Sequence, residues 1–169
     1  MTENSIEAGI IMGSEHDEVK MIKAREVFEA FGVRFASGIW SAHRTPKEVP
    51  RVIQFWTARG CKVFIAGAGW AAHLAGAIAG MTVLPVIGVP ISSSRLNGLD
   101  ALLATVQMPK GIPVATVAID CADNAAYLAI QILATRDERL RQKLEEHRQQ
   151  MEKEIKEKNE MHFGKGWPR

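Results

Sequence analysis

Hydrophobic positions along the chain follow two alternating rhythms. Unbroken apolar runs rich in β-branched residues occur at 8–12 (AGIIM), 33–40 (VRFASGIW), 62–67 (KVFIAG), 84–90 (LPVIGVP) and 113–119 (PVATVAI). Such runs, punctuated by Gly and Pro, predict buried strands. Between the first four lie segments of the length that a crossover helix needs. Alternation of this kind predicts an α/β fold, a five-stranded parallel sheet with helices on both faces.

The helical segments carry start and stop signals. Ser14 followed three residues later by Asp17 resembles a capping box, apolar residues come next at Val19, Ile22, Val27 and Phe31, and Gly32 is placed to end the helix. The second helix begins near Pro46, a residue suited to a first turn, and runs to Gly60. Others start near Ala71, Asn97 and Asp123.

After Thr135 the pattern changes. Thr135 with Glu138 forms another capping-box candidate, and the only large apolar residues through Asn159 are Leu140, Leu144, Met151 and Ile155. A helix of roughly 24 residues would be about 36 Å long, more than a small domain needs. It reads either as a self-supporting helix or as an arm lying on a neighbouring subunit, and the narrow apolar stripe favours the arm. The expected organisation is a single α/β domain over 1–135, a C-terminal helix over 136–160 extending from it, and a tail, 161–169, whose Phe163 and Trp167 either dock or stay free.

Composition narrows the partners. A chain of 169 residues with 47% hydrophobic content buries one good core. Its net charge of +2 arises from eleven basic and eleven acidic residues up to 135, then ten and eight beyond. That is a solvated helix rather than a basic patch, so neither nucleic acid nor a membrane surface is expected as a partner. The nearly uncharged stretch 70–91 contains His73, Pro85, Pro90 and three glycines, which fit a helix, a break and a strand better than a membrane span. The N-terminal residues lack the basic-then-apolar pattern of a signal peptide. Two cysteines, Cys61 and Cys121, make neither a disulfide framework nor a zinc motif, and a cytoplasmic location is expected.

Ligands of an open parallel sheet bind outside the carboxyl ends of its strands, so the informative residues follow each strand. After the first comes GSEHD, where Ser14 and Asp17 either cap the helix or hold a ligand's hydroxyls, and His16 is expected to be exposed. After the second comes SAHRTP: Arg44 offers a planar fork of donors for phosphate or carboxylate, Ser41 and Thr45 add hydroxyls, and His43 is suited to proton transfer near neutral pH. After the third comes GAGWAAHLAG, small residues that let backbone approach a ligand. Its GAGWAA fits the dinucleotide fingerprint, but that motif belongs after the first strand with an acid about twenty residues on, and here ISSS follows the next strand. ISSSRLNGLD and VQMPKGIP complete the set, with Arg95 among their polar groups. No metal-ligand spacing, G-x-S-x-G elbow or Walker-type lysine loop is present. The residues support a small-molecule site with phosphate and hydroxyl recognition, one histidine acid/base and no metal.

Taken together, MGSEHD, SAHRTP, AGAGWAAHLAG, PVIGVP, LNGLDALLATVQMPKGIPVATVAI and NAAYLAIQILA resemble the PurE family of purine biosynthesis, over about residues 8 to 135. The resemblance implies a three-layer α/β/α, flavodoxin-like domain assembled as a homo-octamer, with sites where subunits meet. It implies a ribonucleotide substrate and a mutase that moves a carboxylate from the exocyclic nitrogen of 5-(carboxyamino)imidazole ribonucleotide to ring carbon 4, without a cofactor. His43 would be the general acid/base. Ser14, Asp17, Ser41 and Arg44 would hold the ribose-phosphate, and Gly69, Ala71, His73 and Leu74 would contact the substrate from the third loop. The alternatives are a direct aminoimidazole ribonucleotide carboxylase using carbon dioxide, or a non-catalytic ribonucleotide-binding protein. The chain departs from the family pattern at four places: Trp70 for a loop glycine, Ala75 for a proline, His16 for a serine, and Arg95 for a small residue. At 70 the ring would either reshape the loop or fold over the site as a lid.

Overall fold

The computed structural model describes residues 5–165. Two compact units divide the chain, one through Leu133 and the other from Ala134. In the first, five strands, β1 (Ala8–Met12), β2 (Phe35–Ile39), β3 (Val63–Gly69), β4 (Val86–Ile91) and β5 (Ala115–Thr116), form one parallel sheet in the order β2-β1-β3-β4-β5. The helices of this unit are α1 (Glu18–Phe31), α2 (Glu48–Ala58), α3 (Leu74–Ala79), α4 (Leu99–Val106) and α5 (Ala122–Ala134), the last running one residue past the division. This is the expected flavodoxin-like α/β/α arrangement. β1, β3 and β4 are apolar along nearly their whole length because both faces are covered.

Alternation along the strands assigns the layers. Ile11, Phe64 and Ala66 join Val49, Val52, Ile53 and Trp56 of α2 and Leu74, Ala75 and Ile78 of α3 in one buried cluster. The residues between them, Ile10, Val63 and Ile65, are also fully buried and by pleat point the other way. On that side α1 contributes Met21, Ala24, Phe28 and Phe31, and Phe31 meets Tyr127 of α5 edge-on at 5.7 Å. Right-handed crossovers require this split, because β1 to β2 moves one way across the sheet and the later connections move the other. A Cβ at Gly67 would strike the Met21 thioether, so a larger residue there would force that buried side chain to move.

Four local expectations are corrected. In α1 the inward stripe is Met21, Ala24, Phe28 and Phe31, whereas Val19 is 76% exposed and Ile22 also faces solvent; the helix is apolar on two faces, and period alone did not say which one packs. Helix α3 starts at Leu74 rather than Ala71, because Trp70 adopts φ 52° and two tight turns, from the N–H of Ala72 to the Trp70 carbonyl and from that of His73 to the Ala71 carbonyl, occupy the intervening residues. Strand β5 is two residues long. Pro90, the next residue of β4 whose N–H would face it after Gly88, has no donor, and the Pro90 carbonyl accepts instead from Asp120. In the second unit, α6 (Glu138–Phe163) is capped by Asp137, whose carboxylate accepts from the N–H of Leu140, and not by Thr135.

Helix α6 has 26 residues, about 39 Å at the usual rise. Leu140 is buried, while Met151, Ile155 and Phe163 are exposed. Trp167 lies outside the described residues.

Candidate functional site

The carboxyl ends of β1 to β4 open into one cleft of about 350 Å³. Its position follows from how each loop is anchored. Trp40, immediately after β2, lays its ring where a Cβ on Gly38 would stand and meets Trp56 edge-on at 5.3 Å. Its N–H donates to the Met12 carbonyl (2.9 Å), and that of Gly13 donates to the Gly67 carbonyl (3.0 Å), so the first three loops leave the sheet in register.

The first loop serves both structure and site. Ser14 has extended backbone (φ −154°); its Oγ accepts from the N–H of His16 (3.3 Å), and the Asp17 carboxylate accepts from the N–H of Ser14 (2.9 Å), completing the capping box around a one-turn 3-10 helix, Glu15–Asp17. Asp17 is only 4% exposed and lies on the wall of the cleft. Burial pushes its carboxyl above the ordinary aspartate range, against the opposing pull of the Ser14 and Gly13 amides and the charges of His16 and Arg44. His16 is exposed at the cleft's rim, as expected.

The second loop is tied by its own hydroxyls. Thr45 Oγ1 accepts from the N–H of Ser41 (2.9 Å) and donates to the Ser41 carbonyl (3.0 Å), while Ser41 Oγ accepts from the N–H of Arg44 (3.1 Å). Pro46 ends the turn, and Pro50 falls in the first turn of α2, where its missing N–H costs nothing. Arg44 Nη2 donates to the Gly13 carbonyl at 2.7 Å, which lays the guanidinium across the mouth of the first loop. Ser41, His43 and Arg44 all line the cleft.

The third loop closes the opposite side with Gly69, Trp70, Ala71 and Leu74. His73 occupies the N-cap position of α3, and its Nδ1 lies 3.0 Å from His43 Nε2, a hydrogen bond between rings that meet at a T-shaped angle of 77°. Trp70 keeps a left-handed backbone that a glycine would adopt more easily, and it borders the cleft while 63% exposed. Of the other departures, Ala75 sits in the first turn of α3 inside the core, a position open to alanine or proline alike. Arg95 is exposed and does not line the cleft.

Of the residues expected at the site, Ser14, Asp17, Ser41, His43, Arg44, Gly69, Ala71 and Leu74 line one cleft, and His73 reaches it through its bond to His43. Sequence reasoning passed over Ser93, which lines the same cleft behind Gly69; the hydroxyl run after the fourth strand was the available signal. Among the described residues, no three His, Cys, Asp or Glu side chains stand together as a metal site. Nor is any helix among them long and apolar enough to cross a membrane.

The cleft brings together a guanidinium fork, a shielded carboxylate and a paired imidazole, groups chemically suited to an anionic ligand and to proton transfer. The family model described as AIR carboxylase matches residues 7–154. The N5-carboxyaminoimidazole ribonucleotide mutase of Pyrococcus horikoshii is 52% identical over 161 residues, covering 95% of this chain and 91% of that protein. The protein of the same name from Thermotoga maritima is 49% identical, with 89% and 88% covered. Among solved structures, the PurE of Treponema denticola superposes with a TM-score of 0.85 at 27% identity, over 92% of this chain and 98% of that one. Fold, cleft and relatives agree, and the chain belongs to the AIR carboxylase, or PurE, family.

Proposed function

We propose that the protein is a mutase of purine biosynthesis that converts 5-(carboxyamino)imidazole ribonucleotide to 4-carboxy-5-aminoimidazole ribonucleotide. The observation that carries this reading is His43 on the cleft wall, paired with His73 and flanked by Arg44. Arg44, Ser14 and Ser41 take the phosphate, and Asp17 accepts from the ribose hydroxyls. Gly69, Ala71, His73 and Leu74 surround the heterocycle.

In the reaction, the bond between the exocyclic nitrogen and its carboxylate breaks, releasing carbon dioxide, and the nitrogen takes a proton from His43. Carbon 4 of the electron-rich imidazole then attacks the carbon dioxide held by the small-residue loop. His43 recovers the proton displaced from carbon 4, so protons balance over the cycle. The amino-substituted ring supplies the electron pair for the new bond, and confinement supplies effective concentration.

The test is to supply the carboxyamino ribonucleotide without bicarbonate. Formation of the carbon-linked carboxylate is the expected result. A protein that consumes only aminoimidazole ribonucleotide and carbon dioxide is a carboxylase, and that outcome rejects the mutase.

The working form is a homo-oligomer, with an octamer the expected size and α6 as an arm between subunits. In support, Leu99, Leu103 and Val106 form an exposed stripe at i, i+4, i+7 on α4. A cytoplasmic setting fits the two free cysteines, of which buried Cys61 has its thiol pushed up to about 11.

A further inference from the structure

We infer that Lys20, Asp120 and Ser92 form a latch behind the cleft, and that Asp120 is a positioning residue that sets the loop after β3 through Ser93. Only the kinetic part of its test rests on the proposed reaction.

Asp120 closes the connection between β5 and α5 with φ 59°, a left-handed backbone that short polar side chains tolerate best after glycine. Its N–H donates to the Pro90 carbonyl at 2.9 Å. Its Oδ1 accepts from the N–H of Ser92 (2.9 Å), its Oδ2 accepts from the Ser92 hydroxyl (2.5 Å), and the same oxygen lies 2.8 Å from Lys20 Nζ on α1. One carboxylate thus ties the connection before α5 to the loop after β4 and to helix α1, three segments far apart in sequence. Its side chain is 22% exposed. Burial by itself would raise this carboxyl, but the bonds from Lys20 and Ser92 and the lysine charge outweigh it and hold it below the usual range. The latch is therefore charged at neutral pH, and bonds to an ionised group are the stronger kind.

The next residue transmits this order to the cleft. Ser93 turns back, its N–H donating to the Ile91 carbonyl (3.0 Å). A Cβ placed on Gly69 would land on Ser93 Oγ, with Ser93 Cβ 3.0 Å and the Ile91 carbonyl 3.1 Å away. Ser93 fills the space that Gly69 leaves open, directly beside the strained Trp70. Lys20, Ser92 and Asp120 do not line the cleft. Their reach into it runs from Ser92 to Ser93 to Gly69.

Asp120→Gly removes the latch without straining the backbone, since glycine accepts a positive φ. Asp120→Asn keeps both the backbone preference and an acceptor for Ser92 but loses the ion pair. Amide exchange over 69–73 is expected to quicken by about tenfold in Asp120→Gly, with Asp120→Asn in between. With the carboxyamino ribonucleotide, KM should rise about fivefold to tenfold while kcat stays within about twofold. In a Ser93→Gly background, which cuts the link, Asp120→Gly should add less than about twofold to KM. Unchanged exchange over 69–73 in Asp120→Gly overturns the inference, as does an equal rise in KM with and without Ser93. Should the wild type fail to turn over the ribonucleotide, the proposed reaction falls, and the exchange measurement alone decides the latch.

Discussion

The loops after β2 and β3 each bring one histidine to the cleft, and they are held by opposite means. Residues 41–46 are fastened by side-chain hydroxyls that replace missing backbone partners. Residues 69–73 are shaped by size: a glycine pressed on Ser93, a tryptophan in left-handed backbone, and two tight turns. The difference teaches where each loop is fragile. The fastened loop withstands changes of shape but not loss of a polar atom. The fitted one is sensitive to an added methyl group, because Ser93 and the Ile91 carbonyl already occupy the space at Gly69.

The sharpest probe is His43→Asn, which keeps a polar group of similar reach in the fastened loop and removes the proton carrier. Turnover is expected to fall by about 10²–10⁴-fold with ribonucleotide affinity retained, a range typical of lost acid/base catalysis. Unchanged turnover in a rapid-quench assay would remove His43 from the mechanism.

Second in size is Gly69→Ala in the fitted loop. The new methyl collides with Ser93 and crowds the Ile91 carbonyl, and overpacking of this kind costs about 1–3 kcal/mol. Ser93→Gly in the same chain should restore part of the loss in denaturant midpoint. Without that rescue, the loop is not held by fit.

The smallest effect is expected at Trp70. A non-glycine residue in left-handed backbone carries about 1–2 kcal/mol of strain, and glycine returns roughly half of that as unfolded-state entropy. Trp70→Gly should therefore raise stability by about 0.5–1 kcal/mol, read as a small increase in Tm. A decrease would mean that the indole makes compensating contacts at the cleft.

Much of this was legible in the chain. Strands covered on both faces appear as continuous apolar runs, which is why β1, β3 and β4 were found within a residue or two. Edge strand β5 was overextended because its run looks the same; what shortens it is a proline on the neighbouring strand. The site was legible because parallel sheets bind ligands at strand ends, so reading the residue after each strand collected Ser14, Asp17, Ser41, His43 and Arg44 before any distance was known. The pairing of His43 with His73 was not, since nothing local in either loop specifies the other's rotamer. The Asp120 latch was hidden for the same reason: Lys20, Ser92 and Asp120 each look like ordinary surface polar residues until the fold brings them together.

The strand order has a last consequence. The path of the chain reverses between β1 and β3, so α1 and α3 depart to opposite sides of the sheet and leave a fissure between their loops. That opening is a product of winding and exists before any side chain is chosen. Side chains at its rim, such as those of His16 and Trp70, can therefore change without disturbing the frame beneath.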